Sequence, residues 1–217
     1  MTIDSDKILH DLLNSLDSLE GIRPGEIPNI ALYMDQVTTF MDAQLASSRR
    51  FESDKVLTKT MINNYTKNNL LPPPEKKRYT KEHLILLIYI YYLKNVISIS
   101  DIQIMLKPLI DHYFENPDAP HSLEEIYASL YKLEQHQHFR VENSVVKTFE
   151  LSEHDFPGVE DKYIKNLNFL SLLGYDIFIK KKIMERIIDE MAAEQAKEQE
   201  QQNGKEKKTK EENKRRK

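Results

Sequence analysis

The stretch LTKTMINNYTKNNLLPPPEKKRYTKEHL, from Leu57 to Leu84, reads as a short helix, a hard stop, a basic connector and the start of a second helix. Thr58 is the candidate N-cap, its hydroxyl placed to accept from a free amide of the first turn. Asn69 stands where the helix should end, and Asn substitutes for Gly in left-handed C-terminal caps. Pro72, Pro73 and Pro74 then forbid continuation, because they lack amide donors and bias their predecessors to extended geometry. At 100° per residue Met61, Ile62 and Tyr65 share one sector of this helix, opposite Lys59, Thr60, Asn63, Asn64 and Lys67. One face packs, and the other offers amides, a hydroxyl and ammonium groups. Asn pairs in two-pronged fashion with the major-groove edge of adenine, and Lys serves guanine or phosphate. The same face equally suits any solvated helix surface.

The charge of this region is out of step with the rest. From Lys55 to Lys94 eight Lys or Arg (Lys55, Lys59, Lys67, Lys76, Lys77, Arg78, Lys81 and Lys94) face two acids, Glu75 and Glu82, in a chain of net charge −4. A basic island in an acidic protein is a candidate footprint for a polyanion, since phosphate contacts supply most non-specific affinity for DNA.

These residues resemble the DNA-binding head of the mercury-resistance-regulator (MerR) family of bacterial transcription factors, whose recognition helix runs S-x-x-T-I-R-Y-Y-x-x-x-G-L-L-P-P. Thr58 stands at the capping Ser, Ile62 at the Ile, Tyr65 at the second Tyr, and Asn69-Leu70-Leu71-Pro72-Pro73 at G-L-L-P-P. Arg78-Tyr79 resembles the Arg-Tyr of the wing, Thr80 to Leu84 the start of the third helix, and Ile99 to Ile102 the start of the fourth. The likeness spans Thr58 to Leu109. It departs where the family's phosphate-binding Arg is Asn63 and its first Tyr is Asn64, and where the wing is short and lacks Gly. The wording is closer still to domain-of-unknown-function family 1836, through Leu-Tyr-Met-Asp-Gln-Val at Leu32–Val37 and Leu-Thr-Lys-Thr-Met-Ile-Asn-Asn-Tyr at Leu57–Tyr65. That second likeness covers most of Ile27 to Leu109 and implies no activity.

At 217 residues the chain has room for one large domain, or a small one with extensions. Forty per cent hydrophobic residues suffice for a core, and thirty per cent charged ones indicate a helix-rich chain. Five Gly leave few tight turns and no Gly-rich phosphate loop. The absence of Cys removes disulfides, Cys nucleophiles and the common structural zinc sites, which is compatible with a cytoplasmic location. The N-terminus is polar and acidic, unlike a signal peptide. The longest apolar run, Leu84 to Leu93, is ten residues, whereas a membrane span needs roughly 20.

Along the chain, Ile8, Leu9, Leu12, Leu13, Leu16 and Leu19 predict an opening amphipathic helix ended by Gly21, Pro24, Gly25 and Pro28. Asn29 is read as the cap of a scaffold helix with the stripe Ile30, Tyr33, Met34, Val37, Met41 and Leu45. Ser47 to Val56 is too long for the 3–4-residue turn of a simple helix-turn-helix, so either that helix runs on or the motif is elaborated. Thr80 caps the apolar helix. Ser98 with Asp101, and Ser122 with Glu125, form capping boxes for the next two. Pro108 should bend or end the first of them, and Tyr113 to Pro120 reads as a loop. His136 to Pro157 shows no period, with Val141 to Phe149 a short strand pair or a loop. A long helical pattern starts at Val159, with a break near Gly174. From Glu194 the hydrophobic stripe is gone, which predicts a solvated tail.

Enzyme chemistry finds little support. His136 and His138 diverge by about 200° on a helix, share a face on a strand where His154 could join them, and have no Cys or carboxylate at ligand spacing; no metal or cofactor is expected. Carboxylate pairs such as Glu124-Glu125 and Asp189-Glu190 read as solvated faces, and no nucleophile elbow is present. Tyr89, Tyr91 and Tyr92 read as core.

The expectation is therefore an all-α protein with an N-terminal helix and linker (1–26), a MerR-like winged helix-turn-helix (27–110), a C-terminal helical region for dimerisation or sensing (121–193) and a charged disordered tail (194–217). The resemblance implies a transcriptional regulator that binds double-stranded DNA as a homodimer through the helix from Val159. Lys59, Thr60, Asn63, Asn64 and Lys67 would address the groove, and Lys76, Lys77, Arg78 and Tyr79 the backbone. The alternative is a protein-protein interaction module that has lost DNA, favoured by Asn63 standing in place of Arg.

Overall fold

The computed structural model describes residues 21–154 and 162–215, preceded by Lys7, Leu9, His10, Asp11 and Leu13. Most of the expected opening helix, and Val159, lie outside the described residues. The elements run from a 3-10 turn at Pro24–Glu26 through strand β1 (Leu32–Tyr33) and helices α1 (Met34–Gln44) and α2 (Lys59–Lys67). Strand β2 (Arg78–Tyr79) follows, then α3 (Lys81–Leu93), α4 (Ile99–Tyr113), α5 (Leu123–His154) and α6 (Lys162–Arg215). The class is all-α, with one two-stranded ribbon.

Helix α3 is apolar almost all round, so it must be enclosed. Leu84, Ile85, Leu86, Leu87, Ile88 and Ile90 are each at most 1% exposed. They share one cluster with Val37, Met41 and Leu45 of the α1 region, Ile62 and Tyr65 of α2, Ile102 and Leu106 of α4, and Leu123 and Tyr127 of α5. Each such side chain contributes roughly 1.5–3 kcal/mol of burial, which makes this cluster the dominant favourable term. Ile22 and Ile188 of α6 belong to it as well, so the core reaches past both expected edges of the 27–110 unit. The Tyr127 hydroxyl donates to the Ile22 carbonyl at 2.6 Å and ties the N-terminal connector to α5.

Local signals set the helix ends. Thr58 Oγ1 accepts from Met61 N at 3.1 Å. Beyond α2, Asn69 adopts φ 56°. The amide of Leu70 then donates to the Tyr65 carbonyl at 2.9 Å, and that of Asn69 to Thr66 at 3.2 Å. These are the paired bonds of a Schellman cap, and the accompanying apolar contact is supplied by buried Leu70 and Tyr65. Both expected capping boxes form: Asp101 N bonds Ser98 Oγ at 3.1 Å and Glu125 N bonds Ser122 Oγ at 3.2 Å.

Several expectations are corrected. Asn29 caps nothing; α1 begins at Met34, where Gln36 Oε1 accepts from Tyr33 N at 2.9 Å. Ile30 is 69% exposed, because Leu32 and Tyr33 are taken by β1. Met61 is also partly exposed, leaving Ile62 and Tyr65 as the packed face of α2. The long join holds a 3-10 turn at Ala46–Ser48 and further turns, so the helix over the stripe does not run on through it. Helix α4 passes through Pro108 and ends only at Tyr113. Residues 136–154 continue α5 in place of a strand pair or loop. Helix α6 passes Gly174 unbroken and carries the expected tail as helical backbone to Arg215. Its Gln195 donates to the Ile104 carbonyl of α4 at 2.8 Å.

His83 braces the start of α3. It is 1% exposed, its ring lying edge-on to Tyr79 and Phe114 at centroid distances of 5.5 and 4.8 Å. Its Nδ1 accepts from Thr80 N at 3.1 Å, so the unprotonated nitrogen does the work that Glu or Gln does in a capping box. Nε2 is buried without a hydrogen-bond partner. Burial pushes the imidazole below its ordinary range, against a weaker opposing pull from Glu115 and the Pro73 and Pro72 carbonyls.

The left-handed cap and the buried imidazole can each be tested on stability. Asn69→Ala should lower unfolding free energy by about 1 kcal/mol, because Ala lacks the short polar side chain that lets Asn tolerate a left-handed backbone, whereas Asn69→Gly should leave it equal or higher, as read by urea denaturation. Because the folded state holds His83 neutral, stability should be complete above the ordinary His pKa near 6.5 and fall as pH drops through and below it. His83→Gln, which keeps an acceptor for Thr80 N, should flatten that acid limb; an unchanged limb would place its origin elsewhere.

Candidate nucleic-acid interface

The polar face of α2 points away from the core. Lys59, Thr60, Asn63, Asn64 and Lys67 are all exposed, and the C-terminal helices do not cover them. The helix is held from both ends. Lys94 Nζ donates to the Val56 carbonyl at 2.8 Å just before it, and Gln103 Nε2 donates to the Asn68 carbonyl at 3.1 Å just after it. Neither contact uses the polar face. An open cleft of about 350 Å³ adjoins the first turn, lined by Thr38, Thr39, Asp42, Lys55, Leu57, Thr58 and Lys59.

The basic connector closes into a two-residue turn. Arg78 N donates to the Glu75 carbonyl at 2.9 Å. The residues between, Lys76 and Lys77, have φ of 50° and 63°. Two successive left-handed residues are the geometry of a type I′ turn, which strongly favours Asn-Gly. Left-handed backbone costs a residue with a Cβ roughly 1–2 kcal/mol. Two exposed lysines therefore occupy the positions where they destabilise the turn most.

After the turn, β2 pairs antiparallel with β1, Leu32 opposite Tyr79 and Tyr33 opposite Arg78. Tyr79 is 3% exposed, and burial pushes its phenol pKa up. It anchors the turn to the core through its edge contact with His83, which leaves little of it at the surface for the expected phosphate contact. Arg78 is exposed. Its guanidinium lies 5.1 Å from the centroid of the Tyr33 ring, and Nη2 donates to the Tyr33 hydroxyl at 3.2 Å. Tyr33 is thus a surface residue of the same face that the sequence reading assigned to a buried stripe.

Acidic groups decide how much of the basic island is available. Lys81 is withdrawn into an ion pair with Glu124, and Lys94 is committed to Val56. Glu82 turns away from the island, accepting from Glu115 N at 2.9 Å, and burial raises its pKa. Glu75 stays at the foot of the turn, 4.0 Å from Lys76 Nζ. Asp35 forms an exposed ion pair with Lys59, which sequence reasoning missed because the partners meet only in space. Lys55, Lys67, Lys76, Lys77 and Arg78 remain exposed. The histidine question closes differently: His136 and His138 lie on α5, so they diverge, and His138 Nε2 is 3.4 Å from Glu142. Among the described residues no three His, Cys, Asp or Glu side chains are grouped to hold a metal, and no helix is long and apolar enough to cross a membrane.

The two motifs quoted above meet here, and each position has a physical task. Tyr33 stacks on Arg78, Asp35 pairs with Lys59, Gln36 caps α1 and Val37 is wholly buried. Leu57, Ile62 and Tyr65 fill the core while Thr58 caps α2. No curated protein matches the chain, and no solved structure does. The profile of one family matches residues 22–130, half of the sequence, and the chain belongs to that family, described as domain of unknown function DUF1836.

Proposed function

We propose that this DUF1836 chain is a transcriptional regulator that binds duplex DNA, with α1, α2 and the Glu75–Arg78 turn acting as an elaborated winged helix-turn-helix of MerR type. The turn carries the reading. Strained backbone persists where the side chains it presents are worth more than the stability forgone, and such positions gather at functional sites. Lys76 and Lys77 are exposed, adjacent and left-handed, and an Asn-Gly pair would close the same turn with less strain. In this reading they bind phosphate as point charges, with Arg78 steadied on Tyr33 beside them. The polar face of α2 then lies in the major groove, where Asn63 or Asn64 reads adenine and Lys67 guanine or phosphate. As a homodimer the protein would recognise two half-sites about one helical turn, or a multiple of it, apart.

A second reading, a protein-protein interaction module, is favoured by the Asp35–Lys59 pair together with Asn63. The first partly neutralises the α2 face, and the second supplies no charge where the resembled family has Arg. The two readings differ in salt dependence, since counterion release accompanies phosphate binding alone.

The decisive variant is Lys76→Asn with Lys77→Gly. It should raise unfolding free energy by relieving the turn, and lower affinity for a mixed-sequence duplex measured by fluorescence anisotropy. Each phosphate that a lysine neutralises adds about 0.9 to the slope of log affinity against log salt, so without the two lysines the slope should flatten by about two units. An unchanged slope from a folded variant would remove the turn from DNA binding. Asn63→Ala should leave that slope alone and relax discrimination at one base position by about 1–3 kcal/mol; unaltered sequence preference would exclude Asn63 from readout.

A further inference from the structure

Pro108 stands inside α4, and the helix runs on through it. A proline has no amide hydrogen, so the carbonyl four residues back, that of Ile104, loses its partner along the helix. That carbonyl is nonetheless bonded. Gln195 of α6 donates to it through Nε2 at 2.8 Å, in a half-buried setting. A side-chain amide thus stands in for the backbone amide that Pro108 lacks. Helix α6 reaches this point along a stripe of its own. Met184, Ile188, Met191 and Gln195 recur at 4-3-4 spacing, which keeps them on one side of the helix. Met184 packs against the core, Ile188 is buried in it and Met191 is half-buried. Gln195 ends the row with a polar side chain where an apolar one would continue the seam, and residues 196–200 are exposed. A polar group at one inward position fixes register, because a single alignment gives it a partner. A slip of one turn, about 5.4 Å, would offer Gln195 only carbonyls that the ladder of α4 already uses.

One step back along α4 lies a second contact. Gln103 Nε2 donates to the carbonyl of Asn68, the residue that closes α2. The amides of Asn68, Asn69, Leu70 and Leu71 fold that closing turn back onto the carbonyls of Asn64, Thr66 and Tyr65. Successive residues of α4 therefore hold the end of α2 and a point on α6. We propose that Gln195 is a latch: seated on the carbonyl that Pro108 vacates, it sets the register of α6 on α4, and through Gln103 its seating is coupled to the closing turn of α2. Unlatched, α4 carries a half-buried carbonyl without a partner at the point where its backbone ladder is already interrupted, and it yields there first. Gln103 is the next residue, so its hold on Asn68 loosens with it. The coupling is reciprocal, so whatever steadies the end of α2 also seats Gln195. It makes α6 a lever on the pose of α2, and it belongs to the free protein whatever α2 binds.

The test is hydrogen–deuterium exchange of the full chain without DNA, read by mass spectrometry, so that its outcome is separate from that of the DNA reading. Gln195→Leu keeps the bulk of the side chain and removes the donor. The amides of Asn68 to Leu71 should then exchange about tenfold faster, the factor by which one unpaired buried carbonyl shifts an opening equilibrium. Pro108→Ala returns a backbone amide to the Ile104 carbonyl and should raise helicity by circular dichroism. In that background Gln195→Leu should change the same amides by less than about twofold, because the two substitutions act on one carbonyl. Unchanged exchange at Asn68 to Leu71 in the single variant would overturn the coupling. An equal effect in both backgrounds would overturn the latch, by showing that Gln195 acts through packing alone.

Discussion

The burial of α3 is the constraint on which the rest depends. Its ten-residue apolar run, Leu84 to Leu93, leaves no side that water can readily share, so every other element of the head is arranged as a wall around it. Val37 and Met41 of α1, Ile62 of α2, Ile102 of α4 and Leu123 of α5 all lie at 0% exposure against that cluster. Replacing one of its leucines by Ala would cost about 2–5 kcal/mol, several times a helix cap. The caps therefore choose where helices stop, and the core chooses that they stand together. With the packed side of α2 fixed by Ile62 and Tyr65, its other side must face outward, which is how a core decision becomes a functional surface.

Much of this was legible because it is local. Thr58, Asn69 and the two Ser-x-x-acid boxes act within three or four residues, and the structure places each where the spacing put it. Pairings distant in sequence were illegible. The Leu32–Tyr79 ribbon joins strands of two residues each, too short for any alternation to show, and it removed Ile30 and Tyr33 from the expected stripe. The same ribbon brought Tyr33 to Arg78, and neighbouring Asp35 reached Lys59, pairings that no single segment announces. In α5 the segment after His136 shows no period because much of it faces solvent on several sides, and packing rather than amphipathicity continues the helix. Helix α6 hid differently. Its apolar residues wrap the axis, and Gly174 looked like a break because glycine weakens a helix interior.

The head and the long helices raise complementary physical questions. In the head, strain at Lys76 and Lys77 lies opposite a rigid core, and rigidity is what allows such strain to persist. In α6, apolar side chains such as Leu170 and Ile177 stay exposed among the described residues. Each is a local conflict with the rules that hold elsewhere in the chain, and such conflicts concentrate where a protein meets something else.

The exposed face of α2 and the Lys76–Lys77 turn are proposed to read duplex DNA. The most direct measurement incubates the purified protein with sheared genomic DNA from its source at about 0.15 M salt and sequences what stays bound, because specific and non-specific affinities separate widely there. Recovery of a few fragments sharing an inverted repeat is the predicted result. No recovery from protein shown to be folded would contradict the account, and uniform recovery would contradict the sequence reading assigned to Asn63 and Asn64.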